Sequence, residues 1–162
     1  MIALSLPEVK ECMSKLLLTE LFDPFYFIEG EIETFNTFTI EGRLKKEFFE
    51  PDGLPEREYA LWKEVREFCF SVIKGKRTPL SFQFVLCLSD ANIEKLLMQQ
   101  GLPFQPQDVR GLYLNLKYDG QKLTCITGTS MNLFTMDKSL DQVWDKMVQK
   151  FFTQKEITYE VL

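Results

Sequence analysis

Histidine is missing from all 162 residues of the sequence. Its absence removes the commonest general base, the Cys-His and Ser-His nucleophile pairs, and the usual zinc ligand. Cysteine is sparse: Cys12, Cys69, Cys87 and Cys125 lie far apart, with no CxxC and no ligand-like spacing. Each sits in an apolar helix or strand pattern, so reduced thiols in or near the core are expected, and no disulfide. No apolar run approaches the ~18 residues of a membrane helix, and the opening MIALSLPEVKECM lacks a basic region ahead of an apolar one. The expected compartment is the cytoplasm. A phosphate-binding loop is missing too. GTSMN (Gly128 to Asn132) is small and polar, but it has no Lys after paired glycines and no helix directly behind it, so it reads as a turn.

What is present is the composition of a folded domain: 45% hydrophobic and 27% charged residues, with fifteen phenylalanines. A chain of this length buries roughly 70% of its unfolded surface and needs no staples, so one domain spanning 1–162 is expected. The formal charge of −5 argues against a nucleic-acid role.

The organising stretch is FYFIEGEIETFNTFTIEGRL, Phe25 to Leu44. Tyr26, Ile28, Gly30, Ile32, Phe38, Ile40, Gly42 and Leu44 fall on even positions, and Glu29, Glu31, Glu33, Thr37, Thr39, Glu41 and Arg43 on odd ones. That alternation predicts a β-hairpin with one core face and one open face. A three-residue loop at Phe35, Asn36 and Thr37 keeps the faces matched. It sets Ile32 opposite Ile40, Gly30 opposite Gly42, and Glu29 opposite Arg43. Paired glycines would leave a shallow patch, which Trp62 or Trp144 is expected to cover, Trp62 being favoured because its helix follows the hairpin.

Ser5 and Glu8 form a capping-box pattern ahead of a helix over about 6–18. EPDGLPE (Glu50 to Glu56) is a turn-rich connector. From Glu56 to about Lys74 the apolar stripe Leu61, Trp62, Val65, Phe68, Cys69, Val72 and Ile73 predicts a helix, stopped by Gly75. KGKR, Lys74 to Arg77, is the densest basic run. It complements the negative end of the helix dipole, or it contacts a phosphate or an acidic partner, joined by Arg43 and Lys45 if the fold brings the clusters together. Leu80 to Leu88 reads as an interior strand. Asp90 caps a short helix, and a last one runs over about 140–153 behind Asp137 or Ser139. Between them, Asp119-Gly120 signals a second hairpin, in which a two-residue turn pairs Leu116 with Leu123 and Tyr113 with Ile126.

Four segments, TFNTFTIEGR (Thr34 to Arg43), WKEVREFCF (Trp62 to Phe70), IKGKRTPLSF (Ile73 to Phe82) and LTCITGTS (Leu123 to Ser130), resemble a small family of uncharacterised proteins from clostridia-like bacteria. The resemblance covers nearly the full length. It implies a bacterial, cytoplasmic origin and transfers no activity and no functional residues.

The expected fold is α+β: a single mainly antiparallel sheet of about five strands with helices on one face. The open face would carry Glu29, Glu31, Glu41, Arg43, Ser81, Gln83, Tyr113, Asn115, Thr124 and Ile126, with Phe25, Phe27 and Val85 as apolar members. The leading functional expectation is a non-catalytic binding or interaction protein, a homodimer using that face, with Glu31, Glu41, Arg43, Lys76, Arg77 and Tyr113 as partner-binding residues and no cofactor. The alternative is a carboxylate-based, metal-dependent ligand binder or enzyme built on Glu29, Glu31 and Glu41.

Overall fold

The computed structural model describes residues 1–162. Its strands are β1 (Ala3–Ser5), β2 (Tyr26–Glu33), β3 (Thr37–Glu41), β4 (Ala60–Leu61), β5 (Ser81–Cys87), β6 (Val109–Tyr118), β7 (Leu123–Met131) and β8 (Glu160–Val161). The helices are α1 (Val9–Leu18), α2 (Lys46–Phe49), α3 (Trp62–Ile73), α4 (Asp90–Gln99) and α5 (Ser139–Gln154). All strands join one antiparallel sheet in the order β3-β2-β5-β6-β7-β1-β8, with β4 also beside β2. The sheet therefore has eight strands rather than about five. The additional ones, β1, β4 and β8, are two or three residues long. Strands so short carry no readable alternation, and they form only because distant partners supply the hydrogen bonds.

Phe82, Phe84 and Leu86 on β5 share the core face with Leu112, Leu114 and Leu116 on β6 and Cys125 on β7, and all are buried. The apolar stripes of α1, α3, α4 and α5 join these residues in one contiguous core. Both tryptophans tie helices down through their indole N–H groups. Trp62 donates to the Leu16 carbonyl of α1 at 2.9 Å, and Trp144 to the Tyr113 carbonyl of β6 at 3.1 Å. The buried Thr127 hydroxyl donates to Asp145 Oδ1 at 2.5 Å and fixes α5 against β7.

From Glu29 onward in the first hairpin and throughout the second, the expected faces are kept but not the expected registers. The first loop is Thr34 to Asn36, so Ile32 pairs with Phe38, Gly30 with Ile40, and Glu29 with Glu41 rather than Arg43. In the second, the Asp119 carboxylate accepts from the N–H groups of Gln121 (2.9 Å) and Lys122 (2.7 Å), widening the turn. Leu123 thus pairs with Tyr118, and Tyr113 with Gly128. In each case the slip is two residues, the only kind that leaves buried side chains buried.

A β-bulge between Phe27 and Glu29 reverses the side-chain alternation at the start of β2. Phe27 consequently turns into the core and Tyr26 to the open face, the opposite of their expected places. Phe25 is likewise buried rather than an outer-face residue. Gly42, expected beside Gly30, instead donates to the Ile28 carbonyl at 2.8 Å inside the bulge. A Cβ on Gly42 would lie 1.8 Å from the Phe27 carbonyl oxygen, so only glycine fits. The space over Gly30 is filled by the rings of Phe84 and Phe27, and Trp62 packs against both in tilted contacts, at 5.1 and 5.8 Å between centroids. The indole thus covers Gly30 through two phenylalanines and does not touch Gly42's position.

Helix starts also moved where tertiary partners intervened. Ser5 is taken by the sheet, paired with Thr124 and Glu160, so α1 starts at Val9 without a side-chain cap. Tyr59 to Leu61 is extended, because Tyr59 bridges Arg43 and Leu61 pairs with Tyr26. Helix α3 begins only at Trp62, where Glu64 accepts from the Leu61 N–H at 2.7 Å and pairs with Arg57. At α4 the cap is Ser89, not Asp90, which instead accepts from the Tyr26 hydroxyl at 3.2 Å.

Replacing Gly42 by Ala drives a methyl into a backbone carbonyl and should cost about 3 kcal/mol in a urea unfolding curve. A loss under ~1 kcal/mol would mean that the bulge can relax. The four thiols are free and buried, and burial pushes Cys12 up to about 11 and Cys69 and Cys87 to about 12, with Cys125 also raised. At pH 8 they carry almost no thiolate, so a thiol reagent should label them no faster than the protein unfolds.

Candidate binding cleft at the hairpin tip

Strand β2 and helix α3 start from the same point, where the Trp62 N–H donates to the Phe25 carbonyl at 2.9 Å. Both then run toward the hairpin tip. Twelve helical residues reach about 18 Å, less than the strand spans, and the loop from Lys74 to Leu80 makes up the difference. That loop closes where the Leu80 N–H donates to the Glu33 carbonyl at 2.8 Å.

Between loop and tip lies a cleft of about 770 Å³, lined by Thr34, Phe35 and Phe38 on one side and Ser71 to Thr78 with Leu80 on the other. Phe35 is 87% exposed although aromatic, and it holds its position edge-on to Phe38 at 5.9 Å. Lys74 lies 5.9 Å from the centre of the Phe70 ring. No acidic group lies within ion-pairing distance of Lys74, Lys76 or Arg77, although the chain as a whole is acidic. The Thr34 hydroxyl oxygen is buried without a hydrogen-bond partner. Buried polar groups normally find one, so this oxygen retains capacity for a ligand or a water. Cations and an aromatic face in one cleft can hold a phosphate together with a flat ring.

The expected partner-binding residues do not form one site. Lys76 and Arg77 line this cleft. Arg43 and Lys45 lie at the other end of the hairpin, about 20 Å from the tip along the strand. Arg43 pairs with Glu58 and sits 5.3 Å over the Tyr59 ring, while Lys45 reaches Glu41 at 3.8 Å. Glu31 and Glu41 meet Glu29, Gln83 and Val85 around a shallow hollow of about 180 Å³ on the open face. Tyr113 lies beside Cys87 two strands away, its ring over the Cα of Gly111, where any Cβ would lie 2.5 Å from it. Burial raises the Tyr113 phenol above its ordinary value.

For the carboxylate alternative, Glu29 faces Glu41 directly, but no three Asp, Glu or Cys side chains are arranged to hold a metal ion. Sequence reasoning missed Thr34, Phe35, Phe38 and Leu80 as cleft residues. The signal was Phe35 itself, a large aromatic in a turn, where Gly, Asn, Asp and Ser dominate.

These features define an α+β protein with one eight-stranded antiparallel sheet and a basic, aromatic cleft at its hairpin tip. The chain belongs to a family of unknown function, DUF5721, whose profile matches residues 15–160. No curated protein and no solved structure matches it. No helix is long and apolar enough to cross a membrane.

Proposed function

We propose that the protein is a non-catalytic, cytoplasmic binding protein that holds a phosphate-bearing aromatic ligand, of the nucleotide class, in the hairpin-tip cleft. The observation that carries this reading is the coincidence there of three unpaired cations with an exposed phenylalanine and a partnerless buried hydroxyl. The cations receive the phosphate and Phe35 offers its face to the ring. Four free, buried thiols fit a reducing compartment.

Thermal shift against a nucleotide panel, with inorganic phosphate alone as a further arm, tests it. A nucleotide at a hundred times its Kd stabilises by about 2.7 kcal/mol, a rise of several degrees. Changing Lys76 and Arg77 together to Gln breaks no ion pair, so the unliganded melting temperature should stay within about a degree while the ligand-induced rise disappears. A panel without any shift, or a rise undiminished in the double variant, defeats the reading.

A homodimer is the second form in which the protein acts by binding, and strand β3 favours it. This edge strand pairs only with β2, and TFTIE contains no Pro, Lys or bulge to blunt it. A second copy adding antiparallel to it, centred on Thr39, sets the two Glu41 side chains at opposite ends. The open face is less suited, because the Glu29, Glu31 and Glu41 clusters of two copies would repel. Light scattering after size exclusion should then give a dimer mass at tens of micromolar, reverting to monomer in Thr39→Lys. A wild-type monomer at every concentration ends this form of the reading.

A further inference from the structure

A second, separate hollow opens on the helical layer. Between α4, α5 and the turn leading into β2 lies a slot of about 280 Å³, lined mainly by hydrophobic side chains, with Leu114 of β6 and Trp144 of α5 among them. Both are almost wholly inaccessible, so the slot ends on the sheet itself. Phe25 and Leu88 form other parts of its wall, and its only polar members are Asn92 and Lys155. Met147 and Phe151 also border a wider groove of about 500 Å³, which carries Lys146 and Lys150. None of Lys146, Lys150 and Lys155 forms an ion pair.

We infer that this slot is a binding site for a small amphiphilic carboxylate, a free medium-chain fatty acid, with the hydrocarbon tail against Leu114 and Trp144 and the carboxylate at Lys155. The slot is close to the smallest ligand cavities and has their usual make-up, an apolar wall with a few polar groups at one side. Charge complementarity selects the head group. Lys155 is an unneutralised ammonium on the slot's wall in a chain with an excess of acids, and Asn92 adds an amide that can donate. The narrow apolar volume selects a single unbranched tail over a two-chain lipid. Neither Lys76 nor Arg77 takes part, so this site and the hairpin-tip cleft stand or fall separately.

Decanoate, below the concentration at which it forms micelles, is the probe, with decanol as its neutral counterpart. Calorimetric titration of the full chain should show one saturable decanoate site per chain. Two-dimensional NMR should move the Trp144 indole N–H and leave that of Trp62 unmoved. Lys155→Gln should weaken decanoate several-fold without changing decanol, and Leu21→Trp, which fills the slot from its half-exposed wall, should weaken both at least tenfold. Circular dichroism confirms that each variant is folded, and Lys155→Gln, an exposed change, keeps the test available where the tryptophan disturbs folding. Absence of saturable binding, equal affinity for acid and alcohol, or shifts confined to residues outside the slot would overturn the assignment.

Discussion

Trp62 is the contact on which the arrangement of this molecule depends. Its ring covers Phe27 and Phe84 on the sheet, its indole N–H ends on the last turn of α1, and its backbone N–H ends on Phe25. One fully buried residue thereby joins a strand, the sheet face and two helices. Burying a large aromatic is worth roughly 1.5 to 3 kcal/mol or more from area alone, and its two N–H groups, both satisfied, specify position as well as stability. Helix α3 is aimed from here. The aim decides where Lys74 to Arg77 emerge, and so the cleft at the hairpin tip is a consequence of packing some 20 Å away.

The bulge at Ile28 is the second constraint and makes the first possible. Were β2 regular from Tyr26 to Glu33, Phe27 would face outward with Glu29 and Glu31, and Trp62 would lose one of its two aromatic partners. The extra residue turns Phe27 inward, and Gly42 permits it by bringing a bare Cα against the Phe27 carbonyl. Phe27 and Gly42 are thus a matched pair. Tyr26, displaced outward by the same bulge, pairs with Cys87 and bonds Asp90, fixing the start of α4 beside the sheet.

The sequence-legible part of this fold is what repeats. Alternation placed Ser81, Gln83 and Val85 of β5 and Tyr113 and Asn115 of β6 on the open face, where they lie, and the stripe of α3 picked out the buried Trp62, Cys69 and Ile73 but also Phe68, which is exposed. Registers were less legible, because a turn is set by a few local hydrogen bonds. The Asp119 carboxylate, accepting from two backbone N–H groups, moved one pairing by two residues without disturbing either face. Least legible were the non-periodic features: the bulge, the two-residue strands, and the loss of Ser5 from a helix cap to a sheet pairing. Each is decided by a partner more than ten residues away. The candidate cleft falls between these cases. Its basic run was plain in the sequence, but its separation from Arg43 and Lys45, and its meeting with Phe35, are matters of tertiary geometry.

The distribution of charge follows from that geometry. On β2 and β3 the like charges Glu29 and Glu41 stand directly opposed, which costs an exposed antiparallel pair a few tenths of a kcal/mol. The cost is small in water, and the result is an acidic half-face on the side of the sheet that no long helix covers. Such a face resists association with a second copy of itself while staying well solvated, which is one way to leave a broad sheet surface open to water. Few cations share it: Lys45 reaches Glu41 at one end, and Lys117 lies beside Gln83. Arg43 and Arg57 are held by Glu58 and Glu64, and Arg66 is locked to Asp23 at 2.9 Å. Lys74, Lys76 and Arg77 lie at the hairpin tip and Lys146, Lys150 and Lys155 on the helical layer, each set without an acidic partner and each beside exposed or accessible apolar surface. Lys10, Lys46, Lys63, Lys95, Lys117 and Lys122 are unpaired as well, so a free ammonium alone singles out nothing. What sets the tip and the slot apart is the apolar surface beside it, where a ligand can meet a cation without breaking an ion pair of the fold.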